Sequence, residues 1–202
     1  IFFYSYCYIL CYNLYNMRKK QNLFYSKYYE KFQHLLLSED KIFEKLEIAK
    51  NNILKIKKKK SKILIFANGG SFAITSHFTI DIMKNTGIRC QNFSDSSMLT
   101  CLSNDYGYEN WVSKAVEYYA DKGDMLILIS SSGMSPNILN SVKNKKNLFS
   151  FIMTFSGFSE NNKLRRIGNL NFHVNSKVYN FIENIHQIWL LSIIDRLTRT
   201  KI

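Results

Sequence analysis

The chain has 202 residues, 46% hydrophobic and 15% aromatic, with one proline and eight glycines; this excludes a disordered, collagen-like or low-complexity chain and suits one domain with a sizeable core. Lys and Arg number 28 against 15 Asp and Glu, a net charge of +13. Such a charge permits phosphorylated metabolites, acidic lipid or nucleic acid as partners and selects none of them.

Residues 1–16 carry no charge and are crowded with tyrosine, and Met17 is followed at once by Arg18, Lys19 and Lys20. A membrane span needs about 20 mostly apolar residues; this run is shorter and is broken by Asn13 and Asn16. It also lacks the basic start and small-residue cleavage site of a secretory signal. It reads as a hydrophobic leader or upstream translation ahead of a start at Met17. A membrane anchor with a basic flank and an ordinary buried element are the alternatives; no membrane partner is expected.

Two helices are predicted within 17–60. Leu23, Phe24, Tyr28, Phe32, Leu35 and Leu36 recur at helical spacing, as do Ile42, Leu46, Ala49, Ile53 and Ile56. Ser38 is the expected N-cap of the second. The run KIKKKKSK at 55–62 is the stretch most suggestive of nucleic acid. Without interleaved aromatics or a nucleic-acid motif it reads as a helix C-terminus whose lysines complement the dipole, so no nucleic-acid partner is expected.

Beyond residue 61 strands and helices alternate. Strands are predicted at 62–67, 88–93, 125–129, 148–155 and 170–174. Helices are predicted from the first strand to Asn85 with Gly87 as a stop, over 107–120, after Asn137, and over 177–199. Alternation of this kind implies a parallel sheet covered on both faces. With no repeat and no Pro/Gly-rich linker, 17–202 reads as a single domain, with N-terminal helices over 17–60 and an αβα core over 61–202. Cys7, Cys11, Cys90 and Cys101 form no CxxC pair and no zinc-ribbon spacing; they read as free thiols of a reducing, cytoplasmic compartment.

Two strand-to-helix turns have the chemistry of anion sites. In Asn68-Gly69-Gly70-Ser71 the paired glycines allow close backbone approach, and the next helix opens with free N–H groups; a plain tight turn fits the same residues. Ser130-Ser131-Ser132-Gly133-Met134-Ser135-Pro136-Asn137 offers three consecutive hydroxyls after the best strand. Ser135 is placed to cap the next helix, with Pro136 at its first position. Together they suggest a phosphate cradle without a fixed positive charge; a Ser-rich capped turn is the plainer alternative. Neither GxxxxGK[ST] nor GxGxxG occurs.

NGGS followed by His77, then SNDYGYE at 103–109, ISSSGMSPN at 129–137 and IENIHQIW at 182–189, in that order, resemble the sugar isomerase (SIS) domain, and its phosphoheptose isomerase branch most. The resemblance runs from about Lys20 to Thr198. It implies an α/β fold, a three-layer αβα sandwich with a five-stranded parallel sheet, and a homotetramer built as a dimer of dimers with shared active sites. It also implies a role in surface-polysaccharide (lipopolysaccharide) precursor metabolism. By resemblance, phosphate sits on Ser130, Ser131, Ser132 and Ser135, Asn68 and Ser71 hold sugar oxygens in the Gly69-Gly70 turn, and Asp105 lies nearby. Asn180 stands where the family commonly has a sugar-facing aspartate.

The family's helical His and Glu, four apart, become His77 and Asp81; its Gln and, eight later, His become Glu183 and Leu191. In the family these four can bind zinc, and the Glu and last His act as acid and base. Here Asp81 and Glu183 are the expected catalytic carboxylates, and His77, Asp81 and Glu183 the zinc ligands that remain. His186 points about 140° away from Leu191 around the helix and does not replace the lost His. Two readings follow: a sugar-phosphate aldose–ketose isomerase, or a non-catalytic phosphosugar-binding module.

Overall fold

The computed structural model describes residues 22–143 and 145–201; the leader, the start at Met17, and Cys7 and Cys11 lie outside them. The chain groups into two compact units, Ile1–Leu37 and Ser38–Ile202. In the first, residues 22–37 form a helix, α1, on which Phe24, Tyr25 and Tyr29 are exposed.

The second unit opens with α2 (Ile42–Lys58), which buries Ile42, Ala49, Ile53 and Ile56 along one face. Its start corrects the expected cap. The N-cap is Lys41, left-handed at φ 53 and without a side-chain capping bond, rather than Ser38. Glu39 accounts for the shift. Its buried carboxylate pairs with Lys45 and accepts the His173 N–H at 3.2 Å, so the turn at 39–41 seats that carboxylate against the sheet.

Five strands pair in parallel in the order β2-β1-β3-β4-β5: β1 (Ile63–Phe66), β2 (Cys90–Gln91), β3 (Met125–Ser130), β4 (Phe151–Ser156) and β5 (Leu170–His173). The register sets Ile63 against Met125 and Met125 against Phe151. Every residue of β1 and β3 is buried, as a sheet covered on both faces requires. On one face Leu64, Phe66, Leu126, Leu128 and Ile152 pack with Trp111, Val112 and Ile138. Alternate residues point the other way: there Phe155 meets His186 and Phe172 meets Trp189 of α7 (Tyr179–Thr198). α3 (Gly69–Thr86) packs beside α7.

The expected strand at 88–93 shrinks to two residues. The helix expected over 107–120 begins only at Trp111 and ends at Tyr119, as α5. Ahead of it stands α4 (Ser96–Tyr106), absent from the sequence reading. Asp95 caps α4, its carboxylate accepting the Met98 N–H at 2.8 Å, and Gly107 ends it at φ 83. Only Leu102 of α4 is buried, so no apolar stripe marked it; the cap was the readable signal. α6 (Pro136–Asn140) is a short helix.

β1 lies between β2 and β3, so the chain leaves β1 and β3 toward opposite sides. A crevice opens at their carboxyl ends, where open parallel sheets bind ligands. The lysine run precedes β1 and so sits at the other end of the sheet. Among the described residues no helix is long and apolar enough to cross a membrane. Cys90 and Cys101 are free thiols, and burial pushes Cys90 up to about 12.

Candidate functional site

The crevice holds a cavity of about 400 Å³ lined by Asn68, Gly69, Gly70, Ser71, Ser130, Ser131, Ser132, Ser135, Tyr179 and Glu183. All but Tyr179 were singled out from sequence. Glu183 is the one charged residue among them, so the wall that faces a ligand is built mainly of hydroxyls, amides and backbone.

The first loop is locked to the second by paired amides. Asn68 donates to Asn137 Oδ1 at 2.9 Å, and Asn137 donates back to Asn68 Oδ1 at 2.8 Å. Tyr108 adds its hydroxyl to Asn68 Oδ1 at 3.1 Å. One N–H of Asn68 remains for a ligand. Gly69 turns the chain at φ +55 into α3, whose first N–H groups have no helical acceptor. Asn137 and Tyr108 were missed in the sequence; each lies inside a motif whose other members took the attention.

In the serine loop, Ser130 and Ser135 hydroxyls meet at 3.0 Å. Ser135 stands at the N-cap position with Pro136 following, as expected, but makes no side-chain cap; its hydroxyl serves Ser130 instead. A hydroxyl pair uses one of its two O–H donors, leaving the other for a ligand oxygen. Ser131 and Ser71 hydroxyls lie 3.4 Å apart across the cavity. Ser132 Oγ accepts the Met134 N–H at 3.2 Å. Behind the loop, Asn162 is buried. It donates to Ser156 Oγ at 3.1 Å, Gly157 O at 3.3 Å and Ser159 O at 2.7 Å and accepts the Arg165 N–H at 3.0 Å. A free helix N-terminus and unspent hydroxyls suit a phosphate, and the net charge draws anions in.

Glu183 enters from α7. Ser71 donates to Glu183 Oε1 at 3.4 Å, and a Cβ on Gly70 would fall 2.9 Å from Glu183 Cδ. Gly70 is therefore the residue that lets the carboxylate reach the cavity floor.

His77 and Asp81 stand further along α3. They pair at 3.2 Å between Nε2 and Oδ2, and Gln187 donates its amide to His77 Nδ1 at 3.1 Å. The His77 ring is thus held from both sides, by Asp81 at Nε2 and by Gln187 at Nδ1. Gln187 was not expected; its position four after Glu183, on the same helix face, was the available signal. At about 1.5 Å rise per residue, Asp81 is ~16 Å along α3 from Gly70, so the chain does not gather His77, Asp81 and Glu183 around one ion. No group of three His, Cys, Asp or Glu placed to hold a metal occurs among the described residues. The donor set expected for zinc is not assembled, and both nitrogens of the only imidazole in it are engaged. Asp105 is exposed and held by Cys101 and Asn104, and Asn180 is exposed at the start of α7; neither lines the cavity.

Leu191 is half-buried, whereas His186 is fully buried and its Nε2–H donates to Ser156 O at 3.1 Å. Burial pushes His186 down to about 3. Burial, and then the nearby Arg165, push His173 down to about 4. Both are neutral in the folded chain, while an unfolded chain takes up their protons near 6.5. Their contribution to stability is complete above pH 6.5 and is lost as pH falls toward 4 and then 3. Denaturant unfolding across that range should show stability falling continuously below pH 6.5; a flat profile to pH 4 would contradict two buried neutral imidazoles.

Residues 27–149 match the SIS domain family. The chain belongs to that family. A phosphoheptose isomerase of Fusobacterium nucleatum is 31% identical over 86% of this chain and 93% of its own length. One of Aliarcobacter butzleri is 32% identical over 71% and 78%. Among solved structures, phosphoheptose isomerases of Francisella tularensis and Neisseria gonorrhoeae superpose with TM-scores of 0.78 at 20% and 23% identity, covering 90% and 91% of this chain and 98% and 100% of theirs; these show the fold. The three-layer αβα sandwich with five parallel strands expected of an SIS domain is the one observed, with the serine loop and the NGGS turn facing each other at its switch point.

Proposed function

We propose that the chain is a sugar-phosphate aldose–ketose isomerase of the phosphoheptose isomerase type. The observation that carries the reading is one carboxylate, Glu183, admitted by Gly70 into a cavity otherwise made for a phosphate. The relatives' shared name supports the substrate class. The serine loop and the α3 N-terminus take the phosphate, and Asn68 and Ser71 orient hydroxyls. Glu183 removes the proton from the hydroxyl-bearing carbon beside the carbonyl, and the electron pair moves to make an enediolate. The hydroxyl proton passes to the former carbonyl oxygen, and return of the carbon-bound proton from Glu183 to the neighbouring carbon completes the isomerisation, so atoms and charge are conserved with Glu183 as the one base. Asp81, paired with His77 further along α3, does not line the cavity and is assigned no step. No step is assigned to zinc.

Leu191, in place of the family's His, favours the second reading, a module that grips a phosphosugar without turning it over. The two separate in D₂O. With sedoheptulose 7-phosphate, proton NMR should show exchange beside the carbonyl and a new aldose, unchanged by a chelator and abolished by Glu183→Ala. Ligand shifts without exchange would overturn the isomerase. Exposed Phe24, Tyr25, Tyr29 and Phe43 support a homotetramer, and free thiols support a cytoplasmic enzyme; a role in surface-polysaccharide precursor supply follows the family.

A further inference from the structure

Tyr179 is the one large apolar surface in the cavity wall, and the structure holds it there deliberately. The end of β4 is fastened to α7 at three successive points. His186 donates to Ser156 O. Gly157 passes so near α7 that a Cβ would lie 2.6 Å from Ile182 Cδ1. Phe158 then meets the Tyr179 ring edge-on, with centroids 5.2 Å apart and planes at 61°. Phe158 adopts φ 56, the left-handed region that a bulky residue enters only when its surroundings hold it there; its N–H donates to Ser176 O at 2.8 Å. Tyr179 is thus braced on its far side and remains 55% exposed, with the other part of the ring available to the cavity.

We propose that Tyr179 is a specificity-determining residue: its ring is the wall on which the carbon chain of a phosphorylated sugar lies, while the serine loop takes the phosphate. The inference rests on the phosphosugar reading of the cavity and deepens it. The serines recognise any phosphate monoester equally, since none of them reaches past the phosphoryl group with a charge. Asn68 and Ser71 hold hydroxyls near the reacting carbons, and discrimination by the length of the carbon chain falls to the ring, through contact with C–H groups on an aromatic face. Affinity should rise from inorganic phosphate to a three-carbon ketose phosphate and again to a seven-carbon one.

The test is calorimetric binding to the full chain of inorganic phosphate, dihydroxyacetone phosphate and sedoheptulose 7-phosphate. Tyr179→Ala should weaken the seven-carbon ligand about tenfold and leave inorganic phosphate unchanged. Tyr179→Phe should restore the affinity, because the ring and not the hydroxyl does the work. An equal loss for all three ligands in Tyr179→Ala would show a collapsed site and overturn the proposal. So would an unchanged affinity for the seven-carbon ligand. If the wild type binds the seven-carbon ligand no more tightly than inorganic phosphate, the phosphosugar reading itself falls; if it discriminates and Tyr179→Ala discriminates as well, only the role of Tyr179 falls.

Discussion

Gly70→Ala should fold as well as the wild type and lose nearly all turnover. The position lies in the first turn of α3 without a positive φ, so alanine suits the backbone and gains about 0.5–1 kcal/mol of helix stability over glycine. The new methyl would sit 2.9 Å from Glu183 Cδ and 3.0 Å from Oε1. A carboxylate at the end of a flexible side chain swings away cheaply, so the loss is functional. Displacement of a reacting group by an ångström costs about 10²-fold in rate. We expect kcat to fall by roughly that factor with KM little changed, and the thermal midpoint to hold or rise. The double variant with Glu183→Gln should be no slower than Glu183→Gln alone, since both changes act on one group. A Gly70→Ala enzyme with normal kcat would remove Glu183 from the mechanism.

Gly133→Ala is the opposite case: it should lose stability first. Gly133 turns the serine loop at φ +65, and a Cβ there would lie 2.7 Å from Asn162 Cβ. Asn162 has no freedom to retreat, being buried and bonded on both ends of its amide. The left-handed conformation costs a residue with a side chain about 1–2 kcal/mol, and forcing a methyl into a packed site about 1–3 kcal/mol more. A loss on the order of 2–5 kcal/mol should lower the midpoint by roughly 5–15 °C for a chain of this size. Gly133 also donates to Ser130 O at 2.9 Å and accepts the Leu164 N–H at 3.0 Å, so phosphate affinity should fall with it. A variant with the wild-type midpoint would mean that the loop is not braced by Asn162.

The two loops were legible because their chemistry is local: paired glycines and consecutive hydroxyls after apolar strands carry their meaning in adjacent residues. The parallel sheet was legible for the same reason, since β1 and β3 read as unbroken apolar runs. What the sequence hid depends on distance along the chain. Asn162 lies far from the serine loop in sequence, and its motif-free neighbourhood gives no reason to place it behind Gly133. Gln187 acquires its interest only when α7 is laid beside α3. How His77 and Asp81 on α3 stand to Glu183 on α7 depends on the way the two helices lie together, which neither helix states locally. Lys41 replaced Ser38 as a cap because Glu39 is claimed by Lys45 and the sheet end, a tertiary demand with no local trace.

α7 carries Tyr179, Glu183, His186 and Gln187, which at about 100° per residue all fall within an arc of roughly 100°. One stripe of a single helix therefore supplies the aromatic wall, the base, the buried anchor to β4 and the partner of His77. Point substitutions on this stripe can be separated in the laboratory, but length changes cannot. A residue inserted or deleted between Glu183 and His186 turns everything on one side of it by about 100°, so either Glu183 leaves the cavity or His186 leaves the core. The loop before the helix escapes this rule. Homologous chains should accordingly vary in length ahead of Tyr179 and keep the interval from Tyr179 to Gln187 free of insertions, even where the residues themselves have changed.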